Sequence, residues 1–512
     1  MTDLDRRAAP GPVHGPWPAV SVWGMRWPGP PRPAGTGTIV ALLGAAVVAA
    51  LSLPLDRTGA GWLVSALACA AALTVARAVP YRPPLTVPAP AVRRDMAAPA
   101  LGRFAWATAT VVLLGVGTVR AAGWLFLLCL ATACLTGALA VAGGRSLRAM
   151  ALAGIMAPLA GFRALPWVAR GLGRVRRGPR MVATVLVSAL LLIVFGSLFT
   201  SADPAFAGIV TAIVPRVDAP TVARWIFVFA AAGGVLGGAA YLRAAPPDLS
   251  GLDGPSRRRL ARLEWAIPLT LLVLLFAAFV TVQVTVLFGG SRHVLRTAGL
   301  TYADYARSGF WQLLAVTGLT LGVVAAAVRW APRQTRFDRV LIRAVLGTLA
   351  VLTLVIVASA LHRMSVYADT YGLTRLRLLV ALCELWLGIV FVLVLIAGIR
   401  LRAAWLARTV VALAVLALLA LAAVNPDGLI ADRNIARYER THRIDTEYLS
   451  RLSADAVPAL QRLDPDLRPC ALNPISAGLY RRPDDARQWN YGRSHARALL
   501  AAAPAVERPG CP

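Results

Sequence analysis

Polar and aromatic side chains that could do chemistry are gathered in four short stretches, each beside an apolar run. The stretches combine Asp, Tyr and Arg. A carboxylate can act as a general base or a metal ligand, and an arginine can hold a phosphate through paired hydrogen bonds. The candidate residues are Asp203, Tyr302, Asp304, Tyr305, Arg307, Arg363, Tyr367, Asp369, Tyr371, Arg375, Asp427 and Asn434.

Two interpretations of these stretches stay open. In the first, the four stretches converge on one shared site. In the second, they anchor helices at the membrane surface, because Tyr and Trp are enriched at membrane–water interfaces and an Asp–Arg pair can simply hold a loop.

Glu384 is the most specific single candidate for a functional residue, because it lies inside the apolar run 378–398. It comes seven positions after Arg377, which places it about 10 Å below the helix boundary. An ionisable side chain inside a membrane costs about 3 kcal/mol and normally faces a bundle interior or a cavity. Glu384 therefore indicates either a proton or cation site or a structural carboxylate, protonated or paired with Arg363 or Arg375.

The chain contains no phosphate-binding loop and no HExxH, GxSxG or CxxC motif. The sequence therefore predicts no metal and no cofactor. Four of the six cysteines lie in apolar runs, where they behave as small hydrophobic residues. Cys470 and Cys511 lie near the C-terminus, where an oxidising compartment would let them pair and stabilise that region by about 4 kcal/mol.

Membrane helices are the elements that must position these residues. Hydrophobic residues make up 58% of the chain and charged residues only 15%, whereas about a quarter of a soluble domain is charged. Backbone groups in a bilayer must be satisfied within their own segment, so each long apolar run predicts a helix. The predicted spans are 38–54, 60–76, 104–119, 121–142, 181–200, 223–241, 265–288, 310–328, 344–361, 378–398 and 409–424.

The arginines predict how these eleven spans are oriented. The net charge is +29, and all 53 basic residues are arginine because the chain has no lysine. With the N-terminus inside, the inner segments carry 30 arginines, the outer loops 10 and the region after residue 424 the remaining 13. Basic residues concentrate on the cytoplasmic side of membrane proteins. Topology thus explains the positive charge, and we expect no nucleic-acid partner.

Three regions follow from this pattern. Residues 1–36 are rich in Pro and Gly and are predicted to be a disordered cytoplasmic arm. Residues 37–424 are predicted to be the transmembrane domain, and 425–512 a small extracytoplasmic tail domain. The predicted fold is all-α: a polytopic membrane helical bundle of about 11 spans, with a helical C-terminal tail, in the cell membrane.

Two segments, 145–180 and the tail, are predicted to contain helices that do not span the membrane. The 145–180 loop holds eight arginines and a mildly apolar stretch, 149–162, which favours an amphipathic helix on the inner surface over a re-entrant segment. An additional full span there would reverse the orientation of all that follows. In the tail, the apolar residues of 444–462 recur at helical spacing, and a further helix is predicted near 492–503.

From the fifth span to the tail, the sequence resembles a family of multi-pass membrane proteins from high-GC Gram-positive bacteria that is described only as a domain of unknown function. The resemblance rests on the four polar stretches and on two tail motifs, Tyr448–Pro458 and Arg487–Tyr491. It implies a membrane location and no particular activity.

Three functions remain in competition. The first is a structural or signalling envelope protein whose outer face binds an envelope lipid or a partner protein. The second is a proton-coupled secondary transporter, which Glu384 and the Gly-rich spans favour. The third is a membrane-embedded transferase acting on a lipid-linked substrate, with Asp203 or Asp304 as base or metal ligand. We favour the first, in which the protein is not an enzyme and the lipid bilayer is its principal partner.

Overall fold

The computed structural model describes residues 29–77, 97–143, 147–174, 219–245, 261–288, 310–332, 334–400 and 405–502, together with scattered positions between 184 and 203. Within these ranges the chain is all helical, with no strand. The longer helices are α1 (Thr36–Ser52), α2 (Ala60–Arg77), α3 (Ala97–Val119), α4 (Gly123–Ala142), α5 (Leu147–Arg174), α6 (Ala219–Ala244), α7 (Arg262–Phe288), α8 (Phe310–Trp330), α9 (Arg336–Tyr371), α10 (Arg375–Arg400) and α11 (Leu406–Val424).

Eight of these helices, α3, α4 and α6 to α11, are long and apolar enough to cross a membrane. Two shorter apolar helices, α1 and α2, match the first two predicted spans. Large apolar side chains such as Leu127, Phe227 and Leu274 are at least 60% exposed along these helices. Exposed apolar surface of this extent requires a non-aqueous neighbour, so the protein is a multi-pass membrane protein.

Most of the predicted span 181–200 lies outside the described residues, and the count of eleven therefore stays a prediction. The 145–180 region contains α5, a helix of 28 residues. Buried Met156, Ala160 and Trp167 on α5 share a core with α1 and α6. The amphipathic helix is thus present, while its position relative to the membrane is untested.

The membrane helices pack as two groups joined by a third. One core is shared by α1, α2, α5 and α6, and another by α7, α8, α9 and α10. Helices α3, α4 and α11 lie between them and share a core that includes buried Leu113, Leu125 and Val415. Helix α10 packs against this core through Leu378, Leu379 and Leu382. Helix α9 forms an antiparallel hairpin with α10, and the two approach closely where Gly388 faces Val357.

The tail begins directly after α11 and has its own core. Its elements are α12 (Pro426–Thr441), α13 (Thr446–Ser450), a 3₁₀ turn (Ala454–Ala456), α14 (Val457–Leu460), α15 (Arg468–Tyr480) and α16 (Tyr491–Ala502). Ile430, Leu449, Leu460, Leu472 and Ala496 are each no more than 1% exposed in this core. Apolar burial of this kind stabilises the tail as a folded unit.

The segment 444–462, whose apolar residues recur at helical spacing, is helical in three short pieces. The structure divides this segment into α13, the 3₁₀ turn and α14. The Ser453 amide donates a hydrogen bond to Asp427 of α12, and Pro458 lacks an N–H for a helical bond. The apolar positions still face one core, because short helical pieces preserve their spacing.

Candidate functional site at the junction of tail and membrane helices

Asp427 is the hub of the contact between tail and membrane helices. Asn425, at φ 57°, turns the chain out of α11, and its side-chain oxygen accepts a hydrogen bond from the Gly428 amide at 3.2 Å. Asn tolerates this left-handed conformation and is a favoured N-cap residue. Pro426 then occupies the first helical position, which needs no N–H. This local geometry places Asp427 in the first turn of α12.

The Asp427 side chain is fully buried and collects four hydrogen bonds. Arg375 donates from Nε to Oδ1 at 2.9 Å and from Nη2 to Oδ2 at 2.6 Å. The Ser453 amide donates at 2.8 Å and Trp124 Nε1 at 3.1 Å. Burial acts to raise the pKa of Asp427, but the hydrogen bonds and charge of Arg375 outweigh it and hold the pKa below its usual range. Asp427 therefore joins α4, α10 and the tail as a carboxylate.

The turn between α9 and α10 is held from the tail side. Asn434 Nδ2 donates to the Leu373 carbonyl at 2.8 Å, and Arg437 donates to the Thr370 carbonyl at 2.9 Å. These carbonyls lie at the C-terminal end of α9, where no intrahelical N–H remains to bond them. Gly372 sits between them at φ 84°, and a Cβ there would collide with Asn434 Oδ1. The turn thus requires glycine.

Two tyrosines line the last turns of α9. The rings of Tyr367 and Tyr371 lie 5.1 Å apart, and the Arg377 guanidinium stacks over Tyr367 at 4.1 Å. Tyr448 of the tail accepts a hydrogen bond from the Arg375 amide at 2.8 Å. Cation–π stacking and this bond both brace the start of α10.

A second group of contacts satisfies the start of α4 from the tail and the end of α11 from the α3–α4 turn. Asp455 Oδ2 accepts hydrogen bonds from the amides of Ala121 and Ala122, at 2.7 and 3.0 Å, at the N-terminus of α4. A carboxylate at this position also complements the helix dipole. Burial nevertheless raises the pKa of Asp455. Arg120, in the same turn, donates to the Ala422 and Ala423 carbonyls that end α11.

Asn490 bonds backbone carbonyls at the C-terminal end of α3. Its side chain is fully buried and donates to the Gly117 and Arg120 carbonyls at 2.8 and 2.9 Å. Its oxygen accepts from the Arg493 amide at 3.0 Å. Two of these hydrogen bonds join the tail to the C-terminal end of α3, and the third caps the first turn of α16.

The start of α2 is bonded to the tail through the backbone. The amides of Ala60 and Gly61 donate to the carbonyls of Trp489 and Arg487, each at 2.9 Å. First-turn amides have no partner inside their own helix, so the tail satisfies them. Taken together, tail groups bond the ends of α2, α3, α4 and α9, and we call this set of contacts the capping surface.

The structure brings together two of the four predicted stretches. Arg375 bonds Asp427, and Asn434 bonds the Leu373 carbonyl in the adjoining α9–α10 turn. Tyr367 and Tyr371 contact each other at the end of α9, beside Arg377. Asp369 is exposed on the last turn of α9.

The other predicted residues do not join them. Arg363 bonds Gln283 of α7 at 2.5 Å, and Asp203 ends the sparsely described segment near 200. Tyr302, Asp304, Tyr305 and Arg307 lie outside the described residues.

Glu384 lies on α10 away from the capping surface. It is 2% exposed, and within the described part of the chain neither carboxylate oxygen has a hydrogen-bond partner. Of the alternatives that the sequence left open, pairing with Arg363 or Arg375 is not found among the described residues, because these arginines bond Gln283 and Asp427 instead. A buried carboxyl without a cation is expected to be neutral.

The described residues contain no group of three or more His, Cys, Asp or Glu side chains that could hold a metal ion. Cys470 is disulfide-bonded. Its expected partner Cys511 lies outside the described residues, so the Cys470–Cys511 pairing stays a prediction.

A family model described as "Domain of unknown function (DUF4153)" matches residues 108–463. The chain belongs to this family. The match begins within α3 and includes the whole Asp427 hub, whereas α1, α2 and the tail beyond Leu463 lie outside it. No curated protein and no solved structure matches the chain.

Sequence reasoning missed Asp455, Asn490 and Trp124 as site residues. Asp455 and Asn490 lie within the two tail motifs that carried the family resemblance, so the motifs themselves were the available signal. Their partners are backbone groups, which no side-chain pattern reveals. Trp124 looks like an ordinary interface aromatic, and only its 3.1 Å bond to Asp427 distinguishes it.

Proposed function

We propose that this protein is a structural or signalling component of the cell envelope, with its functional surface on the extracytoplasmic face that the tail covers. The observation that carries the proposal is the capping surface. Buried groups of the tail bond the ends of four membrane helices, so the tail is held rigidly against the bundle. A rigid tail can transmit a change at the envelope to the helices, or hold them in a fixed arrangement.

The arginine distribution supports the extracytoplasmic assignment, with 30 arginines in the segments placed inside against 10 in the loops placed outside. The loops that meet the tail, around Arg57, Arg120 and Gly372, all belong to the side with few arginines.

Cysteine labelling tests the orientation. In a variant without the four free cysteines, Glu447→Cys in the tail and Arg339→Cys near the start of α9 each provide an exposed reporter. A membrane-impermeant maleimide added to intact cells should label the first and reach the second only after lysis. The opposite result would refute the proposed orientation.

The functional role is tested by complementing a deletion strain. Asp427→Asn, which breaks the hub, should fail to restore resistance to envelope stress, whereas Glu384→Gln should restore it. Glu447→Gln is the matched control, since its partner Arg451 and Glu447 itself are both more than 70% exposed. Full rescue by Asp427→Asn at normal protein level would remove the hub from the proposed function.

A proton-coupled transporter is the second candidate. The buried carboxyl of Glu384, which has no hydrogen-bond partner among the described residues, supports it. Ionisable residues within membrane helices commonly mark proton or ion pathways. Under this alternative, Glu384→Gln abolishes pH-gradient-driven flux in proteoliposomes while Glu447→Gln leaves it unchanged. Complementation by Glu384→Gln in the deletion strain would instead exclude an essential proton site at this position.

A further inference from the structure

A laterally open cleft separates the tail from α2 and α4. Its volume is about 580 Å³, within the range of roughly 300–1,000 Å³ that ligand sites occupy. The membrane helices provide an apolar floor formed by Trp62, Phe126, Leu127 and Leu130. Leu127 is 65% exposed, so the floor continues onto the lipid-facing side of α4.

The depth of the floor matches the boundary between headgroups and acyl chains. Helix α4 begins at Gly123, and Leu127 and Leu130 follow four and seven residues later. At 1.5 Å per residue they lie about 6 and 10 Å from the helix end. With the N-terminus of α4 placed at the outer edge of the bilayer and a polar layer of about 5–8 Å per leaflet, these residues lie beside the first part of the acyl chains.

The opposite wall and rim of the cleft are cationic. Three arginines line the cleft, Arg57, Arg451 and Arg493, against one lining carboxylate, Asp56, so the lining carries two positive charges in excess. Arg57 and Arg493 pair with Asp484 at 3.3 and 2.9 Å, a carboxylate that lies behind the lining and is shared with Arg497 at 2.8 Å.

Arg451 lines the cleft as well, and its ion pair with Glu447 is exposed on both sides. Exposed pairs of this kind are weak, so Arg451 is available to an anion at little cost.

We propose that this cleft binds one anionic phospholipid, with its phosphate at Arg57 and Arg451 and the start of an acyl chain on Leu127 and Leu130. The apolar floor lies at the depth of the acyl chains and matches the apolar part of such a lipid. The cationic rim lies above the floor and matches the phosphate. A free phosphate compound would use the arginines and leave the apolar floor unoccupied. The inference deepens the proposed function by naming a ligand class, and its assignment to the outer leaflet rests on the proposed orientation.

Native mass spectrometry of the full chain, released from nanodiscs of phosphatidylcholine and phosphatidylglycerol, measures the binding. Arg57→Gln with Arg451→Gln should lower phosphatidylglycerol affinity by about tenfold for each charge-assisted hydrogen bond lost. Arg440→Gln, an exposed tail arginine outside the cleft lining, should leave affinity unchanged. Gly478→Phe provides an independent block, because open space surrounds a Cβ at this cleft position, and it should also displace the lipid.

Four outcomes would overturn the proposal. These are equal retention of the neutral and the anionic lipid, an equal loss in the Arg440→Gln control, competition by glycerol phosphate as effective as that by the intact lipid, and retained binding in Gly478→Phe. None of these results alters the maleimide labelling of Glu447→Cys, so failure of the lipid site and failure of the proposed orientation are distinguishable.

Discussion

Replacing Asp427 with asparagine is expected to weaken the attachment of the tail to the membrane helices by about 3 kcal/mol. The substitution keeps the size of the side chain and removes its charge. It breaks the bidentate pair with Arg375 and turns an NH₂ group toward donors that previously met an oxygen. Both Trp124 and the Ser453 amide lie within 3.1 Å of the carboxylate, so one of these donors loses its acceptor.

The magnitude follows from the burial of the two partners. Removing one member of a buried ion pair costs about 3–5 kcal/mol. Asp427 is fully buried, but the Arg375 side chain is 31% exposed, and water therefore recovers part of its solvation. The lower end of the range applies. Since 1.4 kcal/mol corresponds to a factor of ten, opening of the tail should become about a hundredfold more frequent.

Hydrogen exchange of the amides in α14 and α15, in protein held in nanodiscs, measures this opening directly. Glu447→Gln is the matched control, because losing an exposed i,i+4 pair costs only about 0.3–0.5 kcal/mol and should change exchange about twofold. Equal exchange in Asp427→Asn and the control would show that the hub does not hold the tail, and the reasoning from burial would be refuted.

Two further predictions concern other parts of the capping surface. Gly372→Ala should destabilise the folded protein by about 1–3 kcal/mol in thermal unfolding, because of the positive φ and the collision with Asn434; Gly347→Ala, with open space around its Cβ, should be neutral or stabilising. Asp455→Asn should flatten the pH dependence of unfolding. The folded-state pKa of Asp455 lies above the ordinary 3.8, so its contribution is full below 3.8 and is lost as pH rises through the folded-state pKa. A steeper pH dependence in the variant would contradict this.

The membrane helices are predictable from the sequence because each depends only on the apolar residues of its own segment. A bilayer forces each apolar run into a helix regardless of its neighbours, and the described runs all coincide with helices. Helix ends are less predictable. The span predicted at 344–361 belongs to α9, Arg336–Tyr371, because a Thr335–Asp338 capping box and polar residues near Tyr371 extend the helix beyond its apolar part. Hydropathy does not detect either extension.

Within the candidate site, only the contacts between two side chains are predictable from the sequence. Arg375 and Asp427, which bond each other, belong to polar stretches that stand out beside apolar runs. Asp455 and Asn490 bond backbone groups of helices more than 300 residues earlier in the chain. Such contacts depend on tertiary packing, and no periodic pattern in the sequence around these residues reveals them. The same reason explains why Arg363 reaches Gln283 and not Glu384.

The family match covers one part of the capping surface and leaves another part outside it. Trp124, Arg375, Asp427 and Ser453 all lie within residues 108–463, as does Glu384. The contacts of Asn490 and the cationic rim at Arg57 depend on residues outside that range. An activity common to the family is therefore expected to depend on the hub or on α10. The lipid proposed for the cleft, by contrast, requires α2 and the end of the tail, and it is expected to vary among family members that share only the matched region.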